Sequence, residues 1–201
     1  LKFFGSDEIL LVNIVGKALP FRTSFQYVCR TDSIDTIITQ LNKMPCKTAV
    51  IDDAGYLMIH HFMDNHRNKK GNASFDMYDD IADRMYFLVQ RLKKETPDDV
   101  IVYIILHEDT SDMGETKLRT IGKLLNEKVC IEGMCSVVLR SETMGGKYSF
   151  VTQNEGNDIS KSPKGMFDEV RIPNDLKAVD TAIREYWGLT PSTNTEEKES
   201  K

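Results

Sequence analysis

The sequence contains little of what marks fibrous, low-complexity or disulfide-stapled proteins. Its 201 residues include 12 glycines and 6 prolines, too few for a collagen-like or a Pro/Gly-rich disordered chain. The four cysteines, Cys29, Cys46, Cys130 and Cys135, form no C-x-x-C pair, so we expect reduced thiols that pack as small apolar side chains. A chain of this length folds as one domain and buries roughly 70% of its unfolded surface.

Long uncharged apolar runs and an excess of positive charge are also missing. No stretch has the pattern of a signal peptide or a membrane span, so with its reduced cysteines we expect a cytoplasmic protein without a membrane partner. Lys and Arg number 26 against 31 Asp and Glu, which gives a net charge of -5. No overall positive field therefore attracts nucleic acid, although a local basic patch still can.

Three near-continuous apolar runs predict strands of a parallel sheet that is covered on both faces. They are residues 8–15 (EILLVNIV), 48–52 (TAVID) and 100–106 (VIVYIIL). Apolar residues at helical spacing lie between them, in 34–41 after Asp32 as the helix cap and in 77–92. Strands that alternate with helices predict an α/β fold, a mostly parallel sheet with helices on both faces.

The second half of the chain predicts a helix, an antiparallel pair and a final helix. Residues 136–139 and 148–152 flank the Gly145-Gly146 turn and predict an antiparallel edge of the sheet. Helical spacing marks residues 121–125 and an apolar stripe from Leu176 to Trp187. The sequence therefore predicts one domain over residues 1–188 and a disordered polar tail over 189–201.

Polar side chains follow two of the apolar strands directly. Asp52 and Asp53 end one strand, and His107 and Glu108 follow another. Ligands of open α/β sheets bind outside the carboxyl ends of the strands, and a carboxylate there can hold the Mg²⁺ that bridges nucleotide phosphates, as in a Walker B strand. Asp52 is then the candidate metal ligand, Asp53 the acid that orients water, and His107 with Glu108 the phosphate-sensing or water-positioning pair. Solvated strand ends are the alternative for each pair alone.

A second polar cluster, His60-His61-x-x-Asp64-x-His66, holds three of the four histidines. Imidazoles and a carboxylate can bind Zn²⁺ or another divalent metal. On a helix, however, His61 points about 100° away from the face that His60 and Asp64 share. The spacing therefore favours a surface helix, with a metalloenzyme as the alternative.

The phosphate-cradling loop G-x-x-x-x-G-K-[ST] does not occur in the sequence. Gly-Lys pairs stand at Gly16, Gly122 and Gly146, but none is followed by Ser or Thr and none has a glycine five residues before its own. The acidic strand end therefore has no Walker A partner within these residues.

Several strings, read together, carry a family resemblance. They are residues 12–22 (VNIVGKALPFR), 49–53 (AVIDD), 102–108 (VYIILHE), 120–125 (TIGKLL), 132–134 (EGM), 152–154 (TQN) and 161–167 (KSPKGMF). Over roughly residues 8–188 the chain resembles phage-encoded ATP-binding proteins of the AAA/RecA-like P-loop class, some of which are regarded as single-strand-annealing recombinases.

The resemblance implies a RecA-like P-loop NTPase core with ATP and Mg²⁺ as cofactors, and an ATPase in DNA recombination. In that family a strand, a Walker A loop and a helix come first, and residues 12–22 would be the second strand and its exit. Because the sequence begins at Leu1 and enters that strand almost at once, we expect such a unit to precede it. Asp52 carries over as the Walker B metal ligand, with Asp53, His107 and Glu108 in the roles given above.

The resemblance also implies partners for basic residues in and after two predicted loops beyond the strand ends, residues 109–117 and 154–164. Lys117, Arg119 and Lys123 are candidates for single-stranded DNA, while Lys161 and Lys164 are candidates for the nucleotide of a neighbouring subunit in a homo-oligomer. Solvated polar loops are the alternative for each of them. An alternative for the whole protein is a nucleotide-regulated assembly module that hydrolyses little or no ATP.

Overall fold

A four-stranded parallel sheet forms the centre of the molecule. The computed structural model describes residues 1–69 and 71–191 of the chain. Its central strands are β1 (Ile9–Asn13), β2 (Tyr27–Cys29), β3 (Thr48–Asp52) and β4 (Ile101–Ile104), in the order β2-β1-β3-β4. The predicted α/β class and the three apolar strands are confirmed, whereas β2 is too short to show an apolar run.

Helices cover both faces of this sheet, as predicted. They are α1 (Ile34–Leu41), α2 (Tyr56–Asn65), α3 (Asn72–Glu95), α4 (Lys123–Glu127) and α5 (Leu176–Trp187). Successive side chains of a strand point to opposite faces, so Leu10 and Val12 pack in one apolar cluster with α1, α2, α3 and α4. Ile9 and Leu11 pack in the other cluster, with α5. Burial on both faces explains why these strands lack polar alternation.

The ends of two helices show how local sequence sets their limits. Ser33, rather than the predicted Asp32, caps α1, since its side chain accepts a hydrogen bond from the Thr36 amide. Asp175 caps α5 through the amides of Lys177 and Ala178, and Gly188 ends that helix with a φ of 63°, a left-handed conformation that favours glycine.

The antiparallel strands do not form an edge of the parallel sheet, so that prediction is wrong. β7 (Arg140–Met144), β8 (Lys147–Val151) and β9 (Arg171–Pro173) form a separate three-stranded sheet. The two-residue Gly145-Gly146 turn has positive φ at both positions, which sets Met144 opposite Lys147 and Arg140 opposite Val151. The strand therefore lies at 140–144, and the predicted strand at 136–139 contributes only a bridge from Val138 to Lys161.

A short hairpin and a single helical turn complete the described chain. β5 (Glu108–Thr110) and β6 (Thr116–Leu118) pair antiparallel, in a region predicted as a loop, and Glu132–Met134 form a 3-10 turn. Of the predicted tail, residues 192–201 lie outside the described residues. No helix within residues 1–69 and 71–191 combines the length and apolarity needed to cross a membrane.

Candidate nucleotide site at the carboxyl edge of the sheet

The order of the strands opens a crevice between β1 and β3. The chain leaves β1 toward β2 on one side, and it leaves β3 toward β4 on the other. Neighbouring parallel strands whose connections run in opposite directions form the topological switch point at which open α/β sheets bind ligands. Asn13 and Asp52 are paired in register at this point, so the Asp52-Asp53 pair lies where the topology places a ligand.

Asn13 holds the loop that leaves β1. Its side-chain amide donates a hydrogen bond to the Lys17 carbonyl at 2.8 Å, and its side-chain oxygen accepts one from the Gly16 amide at 2.8 Å. Gly16 has a φ of 74°, which a glycine adopts without strain. The loop therefore turns back at the crevice and carries the Lys17 side chain to the acidic pair.

Lys17 forms an ion pair with the buried carboxylate of Asp53. Asp53 is 5% exposed, and it is the only non-glycine residue with positive φ, 57°, among residues 1–69 and 71–191. The hydrogen bond to Asp53 raises the pKa of Lys17, so the ammonium stays charged at neutral pH. Since an unpaired buried carboxylate is costly, Lys17 supplies the counterion that the buried Asp53 side chain needs.

Asp52 lies half-buried beside this ion pair. Burial raises its pKa above the ordinary aspartate value, and the adjacent Asp53 charge raises it further, while Lys17 and His107 act in the opposite direction. The four side chains therefore form one electrostatic group at the carboxyl edge. The sequence placed Asp52, Asp53 and His107 there; it missed Asn13 and Lys17, whose signal was only a polar residue and a Gly-Lys pair after an apolar strand.

His107 and Glu108 differ in how closely they join this group. The exposed His107 ring contacts Tyr56 edge-on with 6.4 Å between the ring centroids, and Tyr56 begins the helix that follows the acidic pair. Glu108 instead accepts a 2.8 Å hydrogen bond from Arg140 Nε. The His107 ring thus lies against Tyr56, near the acidic pair, whereas the Glu108 side chain points toward the three-stranded sheet that contains Arg140.

Glu108 and Arg140 stand beside a polar cavity. It has a volume of about 320 Å³ and is lined by Thr110, Gly114, Thr116, Arg140, Glu155, Asn157 and Asp158. The cavity lies between the β5–β6 hairpin and residues 155–158, two regions predicted as separate loops.

The candidate basic residues fall in two places. Lys117, Arg119 and Lys123 are exposed along β6 and the start of α4, and none of them forms an ion pair with another residue in the described part of the chain. Lys161 bridges Val138 through its backbone, and the exposed Lys164 lies in the following turn. Their roles toward DNA and nucleotide stay predictions.

The histidine cluster does not converge on one point. His60 Nδ1 lies 3.1 Å from an Asp32 oxygen, while His66 Nδ1 contacts backbone carbonyls of its own helix. Burial lowers the pKa of His61, and the Arg84 charge adds to this. Within residues 1–69 and 71–191, no three His, Cys, Asp or Glu side chains are grouped as metal ligands. The separate partners favour the surface-helix interpretation over the metalloenzyme.

None of the protein-family models, curated proteins or solved structures compared with this chain matches it.

Proposed function

We propose that this protein binds ATP with Mg²⁺ at the crevice between β1 and β3, as a RecA-like P-loop ATPase that handles single-stranded DNA in recombination. One observation carries the proposal: two acidic residues and a lysine meet at the topological switch point of a parallel sheet, and a histidine after the neighbouring strand β4 acts electrostatically on Asp52. Carboxylates, an ammonium and an imidazole at that point suit the metal and the phosphates of a nucleotide.

The acidic pair fits a divalent cation. Like charge and burial both disfavour the ionised form of Asp52, and a hard cation with oxygen ligands relieves both effects. Asp52 would hold the Mg²⁺, which when bound neutralises charge on the phosphates.

Asp53 and His107 are the neighbouring side chains that could orient water and contact phosphate. Asp53 is the acid placed to orient a water molecule, but its carboxylate already pairs with Lys17. His107 presents an exposed ring beside Tyr56, where it can donate a hydrogen bond to a phosphate oxygen. Positioning and charge stabilisation of this kind supply most of the catalysis in phosphoryl transfer.

A second candidate function follows from the Lys17–Asp53 ion pair. A water-orienting acid that is buried and already paired favours a module that binds nucleotide and assembles without turnover. Lys161 and Lys164 could contact the nucleotide of a neighbouring subunit in either case.

Binding of a fluorescent ATP analogue tests the proposal. We expect Mg²⁺-dependent binding that Asp52→Asn weakens by at least about tenfold, because the variant loses a charged metal ligand. The 201 residues contain no phosphate-cradling loop, so any longer product of the same reading frame is tested beside this chain. Asp98→Asn, an exposed acid before β4 and therefore at the opposite edge of the sheet, is the control and leaves binding unchanged.

Hydrolysis and binding measurements distinguish the ATPase from the assembly module and can also refute the proposed site. If Asp53→Ala removes ATP hydrolysis, the protein is an ATPase; if wild type binds and assembles without turnover and Asp53→Ala still assembles, it is the module. Absence of nucleotide binding by every chain length tested, or equal binding by Asp52→Asn and wild type, refutes the proposed site.

The DNA part of the proposal is tested by the salt dependence of binding. Replacing Lys117, Arg119 and Lys123 with Gln removes three positive charges from one exposed stretch. We expect the slope of log affinity for oligo-dT against log salt to fall by about 2, since each phosphate contact contributes about 0.7 on single strands. An unchanged slope would show that DNA, if bound, contacts another surface.

A further inference from the structure

The Lys17–Asp53 ion pair is asymmetric in its exposure. The Lys17 side chain is 53% exposed, whereas the Asp53 side chain is 7% exposed. The Lys17 ammonium can therefore leave the ion pair and be hydrated, whereas the Asp53 carboxylate stays buried. A buried carboxylate that loses its counterion is costly unless another cation takes its place.

The loop geometry allows this exchange without movement of the backbone. Asn13 fixes the backbone on both sides of the Gly16–Lys17 peptide with two 2.8 Å hydrogen bonds. The lysine side chain beyond that anchor has a flexible four-carbon stem and a single charged head. Only this side chain has to move for the acidic pair to open toward the crevice.

The positive charge of Lys17 acts on both acids. It pairs with the Asp53 carboxylate, and Asp52, the preceding residue, lies half-buried beside that ion pair. A divalent cation that approaches either carboxylate therefore meets a resident positive charge at short range. The two cations compete, because the same negative charge cannot neutralise both as well as one alone.

We propose that Lys17 is a resident counterion of the Asp52–Asp53 pair, which a divalent cation displaces when it binds and whose ammonium then becomes available to phosphate oxygens. The contact between Lys17 and the phosphate oxygens of a nucleotide rests on the function proposed above. The displacement of Lys17 by a divalent cation does not depend on that function. When the cation enters the switch point it therefore also releases Lys17, whose ammonium can then bind a phosphate.

Binding of Mn²⁺ alone tests the displacement. Mn²⁺ prefers the same oxygen ligands as Mg²⁺, and its free concentration is read by electron paramagnetic resonance without nucleotide. At pH 8 we expect Lys17→Gln to bind Mn²⁺ about tenfold more tightly than wild type, because a competing charge is gone. Lys17→Arg keeps the charge and stays near wild type, and Lys43→Gln, an exposed lysine after α1, controls for net charge.

Several results would overturn the inference. They are Mn²⁺ affinity in Lys17→Gln equal to or below that of wild type, an equal gain in Lys43→Gln, and no Mn²⁺ binding by any variant. Lys17→Met replaces Lys17→Gln if the latter unfolds. Tighter Mn²⁺ binding in a protein that never binds ATP refutes the proposed function alone; normal ATP binding with unchanged Mn²⁺ affinity refutes this inference alone.

Discussion

Arg184→Met is expected to lower the free energy of unfolding by about 3–5 kcal/mol, the cost of breaking a buried ion pair from one side. Arg184 and Asp180 lie four residues apart on α5, and their side chains are 4% and 1% exposed. Without the guanidinium, the Asp180 carboxylate stays buried with only hydroxyl partners. Urea unfolding followed by circular dichroism at pH 7 measures the change.

The Arg184 guanidinium hydrogen-bonds to three other segments of the chain, which are the start of β3, the loop into β4 and the residues after α5. Its five N–H groups donate to Asp180 and to four further acceptors at 2.6–3.0 Å, which are the carbonyls of Lys47, Asp99 and Thr190 and the hydroxyl of Thr48. Tyr103 and Thr48 donate to the other Asp180 oxygen, and burial, with the Asp180 charge, raises the pKa of Tyr103. The network therefore fastens α5 at the amino ends of β3 and β4.

A matched pair on another helix supplies the control. Arg91 and Glu95 are also four residues apart but remain 32% and 40% exposed, and the second partner of Arg91, Asp35 on α1, is 88% exposed. Because surface ion pairs contribute little, Arg91→Met should leave the urea midpoint unchanged within error. Asp180→Leu with Arg184→Met should recover part of the loss, since no buried charge is then orphaned. A loss below about 1 kcal/mol in Arg184→Met would show that water reaches Asp180.

Leu88→Ala is expected to cost about 2–5 kcal/mol, because it leaves a cavity where α3 packs on the sheet. Leu88 is 0% exposed in that core, whereas Phe87, the preceding residue, is 53% exposed. Phe87→Ala should change the free energy of unfolding by less than about 0.5 kcal/mol, although it removes the larger side chain.

The contrast between these neighbours tests the orientation of the helix. Urea unfolding of both variants in parallel gives the result, and the slope of the transition shows whether the exposed surface has changed. Equal losses for the two variants would mean that α3 is rotated from the orientation described here or that Phe87 is covered by a partner.

Local periodicity was enough to locate the main elements. β3 ends at the predicted Asp52, β1 and β4 lie inside the predicted runs, and α1 spans the predicted residues 34–41. Apolar neighbours cover these segments on one or both sides. The spacing of apolar residues along each segment therefore indicates which of its faces are buried. The same rule placed Asp52, Asp53, His107 and Glu108 at strand ends.

The formation of the short strands depended on partners distant in the chain. β2, β5, β6 and β9 have three residues each, too few to show a period of two. Backbone pairing with neighbouring strands decides whether such segments become strands. For this reason the β5–β6 hairpin was predicted as a loop, and β7 was predicted four residues too early.

Apolar spacing and residue type are local properties, and they suffice to predict an α/β chain with an acidic strand end. The packing of the strands, which local spacing does not set, places β1 beside β3 and so brings Lys17 to Asp53 across 36 positions of sequence. Tertiary packing also decides that Arg184–Asp180 is buried while Arg91–Glu95, with similar spacing, is exposed. Strand order and burial depend on which surfaces meet, and the energy of an ion pair depends on the water that remains around it.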